Sequence, residues 1–201
     1  MSTIDLRALR TPVAGLNLRP GTLGDQFVAP GTLLVFLRHL GCMFCREMVA
    51  DLRAAAADAA FPPVVMVTQS PTEAAAEFFA GRWPEAVVVA DPDRTLYTAF
   101  SITRANFGGL FGPVVWSCAV RAVAKGNTQA PKQTLSPTHG DPWLLSALFL
   151  MAPAGRVDWE QRARHAGERA DLAAVPRRGD TAAADRLPSA PLALGGADGC
   201  C

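Results

Sequence analysis

Residues 31–60 constrain the fold more than any other stretch: the apolar run GTLLVFLRHL leads into GCMFC and then into REMVADLRAAAADAA. The first segment is short, bulky and nearly unbroken, as a strand buried on both faces must be. The last places Met48, Val49, Leu52, Ala55 and Ala56 on one side at helical spacing. Two cysteines, Cys42 and Cys45, therefore fall where a strand becomes a helix.

The same alternation continues downstream. PPVVMVTQ reads as a strand. SPTEAAAEFFAGR reads as a helix with Ser70 as N-cap, Pro71 at the first helical position and Glu73 three residues after the cap, and EAVVVADP reads as a third strand. This βαβαβ order implies a parallel core. DRTLYTAFSI predicts a short helix, residues 104–124 a mixture of loop and helix, and KGNTQAPKQTLSPTHGDP a long polar loop. WLLSALFLMAPAGRVDWEQRA predicts two strands joined at APAG, and GERADLAAV a closing helix. From Pro176 the sequence is rich in small residues, Pro and Gly without a periodic apolar face, so one domain over residues 1–175 and a tail over 176–201 are expected.

With 201 residues, half of them hydrophobic, the chain can bury one substantial core. Its net charge of +1 supplies neither a basic field for nucleic acid nor an acidic one for basic partners. The longest apolar stretch, Ala105 to Val120, is broken by Gly108, Gly109, Gly112 and Pro113 and falls short of the roughly 20 residues that span a bilayer. No membrane span is expected. The N-terminus has charges at Asp5, Arg7 and Arg10 and no apolar core of signal length, so the expected location is cytoplasmic. The five cysteines, at 42, 45, 118, 200 and 201, form an odd set that argues against a structural disulfide framework and for thiol chemistry or metal binding.

At the start of a helix the unsatisfied N–H groups and their dipoles favour an anion. Cys42 is expected there, with a thiolate more populated than that of a free thiol of pKa about 8.5. Cys45, three residues on, can reach Cys42 to form a disulfide once the first sulfur is oxidised or in a mixed disulfide. Arg38 and His39 add positive charge just upstream, and strand alternation lets at most one of them face the thiolate. The spacing C-x-x-C also occurs as half of a zinc site. The sequence has no second C-x-x-C and no H-x-x-x-H, and the strand–turn–helix setting favours a redox pair over a metal site or inert thiols.

LLVFLRHLGCMFCREMVADLR and, later, GDPWLLSALFLMAPAGRVDWEQRARHAGERADLAAV resemble the peroxiredoxin-like proteins of the thioredoxin superfamily, the AhpC/TSA antioxidant-like branch. The resemblance covers about residues 15–175. It implies an α/β thioredoxin-like fold, a central mixed sheet flanked by helices, and thiol-dependent redox chemistry with Cys42 as nucleophile and Cys45 as resolving thiol. Two departures accompany it. A true peroxiredoxin has Pro seven and Thr or Ser three residues before its reactive cysteine, where this chain has Val35 and His39; thioredoxins proper usually have Gly-Pro inside the pair, where this chain has Met43 and Phe44. Thioredoxin-like folds also commonly hold a cis-proline opposite the pair, and Pro142 is the placed candidate, against the general preference of X-Pro bonds for trans.

The site residues expected on these grounds are Cys42, Cys45 and Arg38 as catalytic groups, with His39, Pro142 and Trp143 lining the site. Cys200 and Cys201 are candidate accessory thiols on a flexible arm, able to exchange with the Cys42–Cys45 disulfide or to carry a soft metal, or else part of a dispensable tail. Cys118 reads as a buried small hydrophobe, His139 and Asp141 as turn residues, His165 as a surface group, and Trp83, Trp116 and Trp159 as core or rim packing. No organic cofactor and no resident metal are implied. The expected partners are an external thiol or disulfide reductant and a peroxide or disulfide substrate. The alternatives are a thiol-dependent peroxidase and, in a different class, a cysteine-based metal binder or redox sensor.

Overall fold

The computed structural model describes residues 4–124 and 140–179. Six strands form one mixed sheet: β1 (Ala14–Leu16), β2 (Thr32–Phe36), β3 (Val64–Thr68), β4 (Val87–Ala90), β5 (Ala147–Met151) and β6 (Val157–Arg162), in the order β1-β4-β3-β2-β5-β6. The centre, β4-β3-β2, is parallel, whereas β1, β5 and β6 pair antiparallel to their neighbours. Among the described residues five α-helices accompany the sheet: α1 (Met43–Ala55), α2 (Thr72–Ala80), α3 (Thr95–Ala99), α4 (Phe107–Phe111) and α5 (Pro113–Ala124). Among the described residues no helix is long and apolar enough to cross a membrane.

The period-2 geometry of the central strands divides the core in two. On one face Leu33, Val35, Met66, Val88 and Leu148 pack with Val49 and Leu52 of α1 and Ala75 and Phe79 of α2. On the other Leu34, Phe36, Val65, Val67, Val89 and Phe149 pack with Leu96 and Tyr97 of α3 and with Phe100. Phe36 lies at the centre of an aromatic group, with ring centroids 5.1 Å from Tyr97, 5.0 Å from Phe100 and 5.9 Å from Phe149. A sheet covered on both faces is what the continuous apolar runs of β2 and β3 require, and every residue of both strands is buried.

The sheet ends in short or partly exposed edges. β1 is three residues long and approaches β4 so closely at Gly15 (φ +156°) that a Cβ there would lie 1.9 Å from the Val88 carbonyl oxygen. Only glycine fits. β6 is half-exposed along its length.

Two local expectations change. α2 begins at Thr72 with Pro71, not Ser70, as its N-cap; Ser70 is buried and its Oγ has no hydrogen-bond partner among the described residues. GERADLAAV forms turns instead of a closing helix. There the Gln161 side chain of β6 captures the backbone, donating to the Arg169 carbonyl (3.0 Å) and accepting from Asp171 N (2.8 Å), while Val175 is buried in the core. These contacts hold the segment against the sheet edge and leave no helical ladder to form. The chain stays in contact just past Pro176: Arg178 N donates to the Ala60 carbonyl (2.9 Å), and the Arg177 guanidinium lies 4.9 Å from the Phe61 ring centroid. Cys200 and Cys201, and His139, lie outside the described residues.

Candidate active site

β2 ends at Phe36, and residues 37–42 form a turn that delivers Cys42 to the N-cap of α1. Cys42, Cys45, Arg38 and His39 are all buried. Because Arg38 and His39 lie beyond the strand, the alternation that would have let only one act on Cys42 does not apply to them. Arg38 Nη1 donates to Cys42 Sγ at 3.0 Å. The positive charge of His39 also acts on the Cys42 thiolate.

Burial alone would raise the pKa of a thiol. At Cys42 it is overridden, first by the hydrogen bond from the Cys45 thiol and then by the charges of Arg38 and His39, so that Cys42 titrates well below the ordinary thiol range. The same hydrogen bond acts in the opposite sense on Cys45: donating to the Cys42 thiolate, and buried beside its charge, Cys45 is held protonated well above that range. The shared hydrogen bond thus favours a thiolate on Cys42 beside a protonated thiol on Cys45. No disulfide joins them.

The Arg38 guanidinium is fixed by two backbone carbonyls of the segment entering β5, donating through Nε to Leu144 O (3.1 Å) and through Nη2 to Pro142 O (2.6 Å). Pro142 therefore contributes its carbonyl to the site. Its peptide bond is trans, in line with the general preference of X-Pro bonds; the cis bond among the described residues is Ala29–Pro30, so Pro142 is not the cis-proline for which it was the candidate. Trp143 is half-buried, and its backbone N–H donates to Asp141 Oδ1 (2.9 Å).

Three further side chains complete the arrangement. Gln69, just past β3 and buried, donates through Nε2 to the Arg38 carbonyl and to Asp141 O (3.2 Å), and its Oε1 accepts from Asp141 N (2.8 Å). Gln69 thereby ties the backbone of Arg38 to the segment that holds the Arg38 side chain. Tyr97 donates its hydroxyl to Leu37 O (2.5 Å) and Val67 O (3.0 Å), fixing the residue before Arg38. The Asp141 carboxylate pairs with Arg104 and, at 3.5 Å, with Arg94. Asp141 thus does more than make a turn. Sequence reasoning passed over Gln69 and Tyr97, although a polar residue closing the apolar run VVMVT and the chain's single tyrosine were visible signals.

Cys118 is buried on α5, where its thiol hydrogen-bonds Arg121. Trp83 and Trp159 pack against the core, whereas Trp116 is exposed, contrary to its expected packing role. Among the described residues no group of three or more His, Cys, Asp or Glu side chains is placed to hold a metal ion.

A six-stranded thioredoxin-like sheet with a cysteine pair at the first turn of α1 defines a class of thiol protein, and the sequence assigns the family within it. The family model described as AhpC/TSA antioxidant enzyme matches residues 49–165, more than half of the chain. The chain belongs to this family of peroxiredoxin-like, thiol-dependent oxidoreductases. The matched region begins at Val49, so Cys42 and Cys45 lie just before it. No curated protein matches the sequence.

Among solved structures, the bacterioferritin comigratory protein of Xanthomonas campestris, studied for alkyl peroxide reduction, is 17% identical with a TM-score of 0.55, covering 94% of this chain and 98% of its own. Peroxiredoxin Q of the same organism is 16% identical with a TM-score of 0.54, covering 90% and 88%. The thiol peroxidase of Chromobacterium violaceum is 14% identical with a TM-score of 0.51, covering 82% and 78%. At these identities the likeness is one of fold.

Proposed function

We propose that the protein is an antioxidant thiol oxidoreductase in which Cys42 is the nucleophile and Cys45 the resolving thiol. The observation that carries this reading is the 3.0 Å hydrogen bond from Arg38 Nη1 to Cys42 Sγ at the start of α1. A cation fixed by two carbonyls stabilises the thiolate without demanding motion when the reaction starts.

With a disulfide substrate, Cys42 thiolate attacks one sulfur and expels the other as thiolate. Cys45 then gives up its proton, attacks Cys42 Sγ and releases the second half of the substrate as a thiol. The product is the Cys42–Cys45 disulfide, and an external thiol reductant returns it to the dithiol. No organic cofactor enters this cycle.

Peroxide reduction is the second reading, favoured by the burial of Cys42, which suits a small oxidant. Here Cys42 attacks one peroxide oxygen, the O–O bond breaks, and the other oxygen leaves as alcohol or water after taking a proton. The sulfenic acid left on Cys42 condenses with the Cys45 thiol to give the disulfide and water. The Arg38 guanidinium, whose five N–H donors are not exhausted by its three partners, faces the charge that develops on the leaving oxygen.

The deciding experiment follows consumption of an alkyl hydroperoxide and of a small disulfide by the reduced full chain with a dithiol donor, in the wild type and in Cys42→Ser. Donor-dependent turnover of either substrate, abolished in Cys42→Ser, supports the proposal, and the preferred substrate selects between the two readings. Turnover that persists in Cys42→Ser, or no turnover of either substrate, overturns it.

A further inference from the structure

Just past Cys42, α1 borders an open groove of about 450 Å³ lined by Arg46, Val49, Ala50, Arg53, Ala54 and Arg82. Three guanidinium groups line it and no carboxylate does. Arg46 and Arg53 stand seven residues apart, within about 20° of each other around the helix. Arg82 reaches the groove from the turn after α2.

The arginines that close the far side are held in place. Arg82 Nη1 donates to Phe78 O (2.7 Å), with its guanidinium carbon 4.3 Å from the Phe78 ring centroid, and Arg53 Nη1 donates to the Arg82 carbonyl (2.5 Å). Each of these bonds uses one of five N–H donors, so both guanidinium groups keep donors for another partner. Burial, and then the charge of Arg46, disfavour protonated Arg82. Exposed arginines are flexible enough to spread apart and relieve such repulsion. Here backbone carbonyls and an aromatic ring keep two of them together over an apolar floor of Val49, Ala50 and Ala54, an arrangement that an anion of matching size would stabilise.

We propose that this groove is a binding site for a compact polyanion, a small molecule carrying at least two phosphate or carboxylate groups on a short skeleton. Its near end is linked directly to the cysteine turn: Arg46 N donates to the Cys42 carbonyl (3.2 Å), and four residues of helix rise separate the two by about 6 Å. The inference concerns binding and stands independently of what Cys42 attacks.

The test is isothermal titration calorimetry of the reduced full chain with inorganic pyrophosphate and with citrate, at constant ionic strength set by chloride. Saturable one-to-one binding of either probe is expected, weakened about tenfold in Arg53→Gln or Arg82→Gln, since each loses a charge-assisted contact. Arg10→Gln, an exposed arginine outside the groove, should bind as the wild type does. Binding of pyrophosphate alone assigns a phosphoryl ligand, binding of citrate alone a polycarboxylate, and binding of both a site selective for charge. Arg53 is exposed on α1 and Gln is a comparable helix former, so this variant folds even where Arg82→Gln does not. Absence of saturable binding to both probes, or an affinity for the bound probe unchanged in Arg53→Gln and in every folded Arg82→Gln sample, overturns the proposal.

Discussion

Arg38 Nη1 lies 3.0 Å from Cys42 Sγ while Nε and Nη2 of the same guanidinium are held by Leu144 O and Pro142 O. Replacing Arg38 by Met keeps much of the volume and removes the cation. The Cys42 pKa should rise, because one of the charges that lowers it is gone while burial still disfavours the thiolate. The sign follows from the lowered pKa of the wild type: its alkylation rate should rise with pH through that low value and level off above it. Arg38→Met should therefore react most slowly relative to the wild type at acidic pH and catch up only at alkaline pH. Stopped-flow alkylation across pH checks this; superimposable profiles would contradict it.

Cys45→Ser tests the division of labour in the pair. Ser retains a hydroxyl donor toward Cys42, so much of the thiolate stabilisation should survive, but no disulfide can form. Exposure to one equivalent of a small disulfide should leave a stable adduct on Cys42, and one equivalent of hydroperoxide should leave a sulfenic acid that a dimedone-type reagent traps. Intact-mass spectrometry should show a single modification and catalytic turnover should be lost. Sustained turnover in this variant would mean that Cys45 does not resolve.

Much of the architecture was legible because burial on both faces of the sheet leaves a plain mark: VVMVT and TLLVF are too continuous to be amphipathic, and the helix after Cys42 carries its apolar stripe at Met48, Val49 and Leu52. The misreadings have local causes. Ser70 and Glu73 have the spacing of a capping box, yet the helix starts at Thr72, one residue after Pro71. GERADLAAV has helical composition, but Gln161 and the burial of Val175 claim that backbone. At the site, Cys42, Cys45 and Arg38 are neighbours in sequence and were found together. Gln69, Tyr97 and the carbonyls of Pro142 and Leu144 come from elements 31 to 106 residues away, and long-range hydrogen bonds to main-chain atoms leave no pattern in a sequence.

The Tyr97 hydroxyl serves two carbonyls, of which Val67 O also accepts from Leu37 N (2.9 Å) while Leu37 O depends on the hydroxyl. Tyr97→Phe keeps the edge-on contact with Phe36 and removes only the oxygen. Leaving a buried carbonyl without its donor should lower stability by about 1–3 kcal/mol, read as a shift of the urea midpoint. Phe36→Ala, by contrast, opens a cavity among Tyr97, Phe100 and Phe149 and should cost about 3–5 kcal/mol. If the two variants lose the same stability, the aromatic group is not the packing centre that its geometry indicates.

Gln69 separates a positioning role from a merely structural one. Gln69→Leu leaves the Arg38 carbonyl and Asp141 N without their side-chain partner, and this should lower the unfolding free energy by about 1–3 kcal/mol. A residue that only supported the fold would stop there, with the pH profile of Cys42 alkylation unchanged. Because Gln69 joins the backbone of Arg38 to the segment that grips its guanidinium, the variant should also let the cation drift from Cys42 Sγ and move the profile to higher pH, in the same direction as Arg38→Met but by less. Gln69→Glu should move it further than Leu does. A carboxylate there still accepts from Asp141 N, yet it offers no donor to the Arg38 carbonyl and sets a negative charge against that carbonyl, which repels it and loosens the Arg38 backbone further. Alkylation profiles of the three single variants, measured with their urea midpoints, distinguish the cases: an ordered shift of wild type, Leu, then Glu supports positioning through Arg38, and a loss of stability with unshifted profiles would reduce Gln69 to a structural tie.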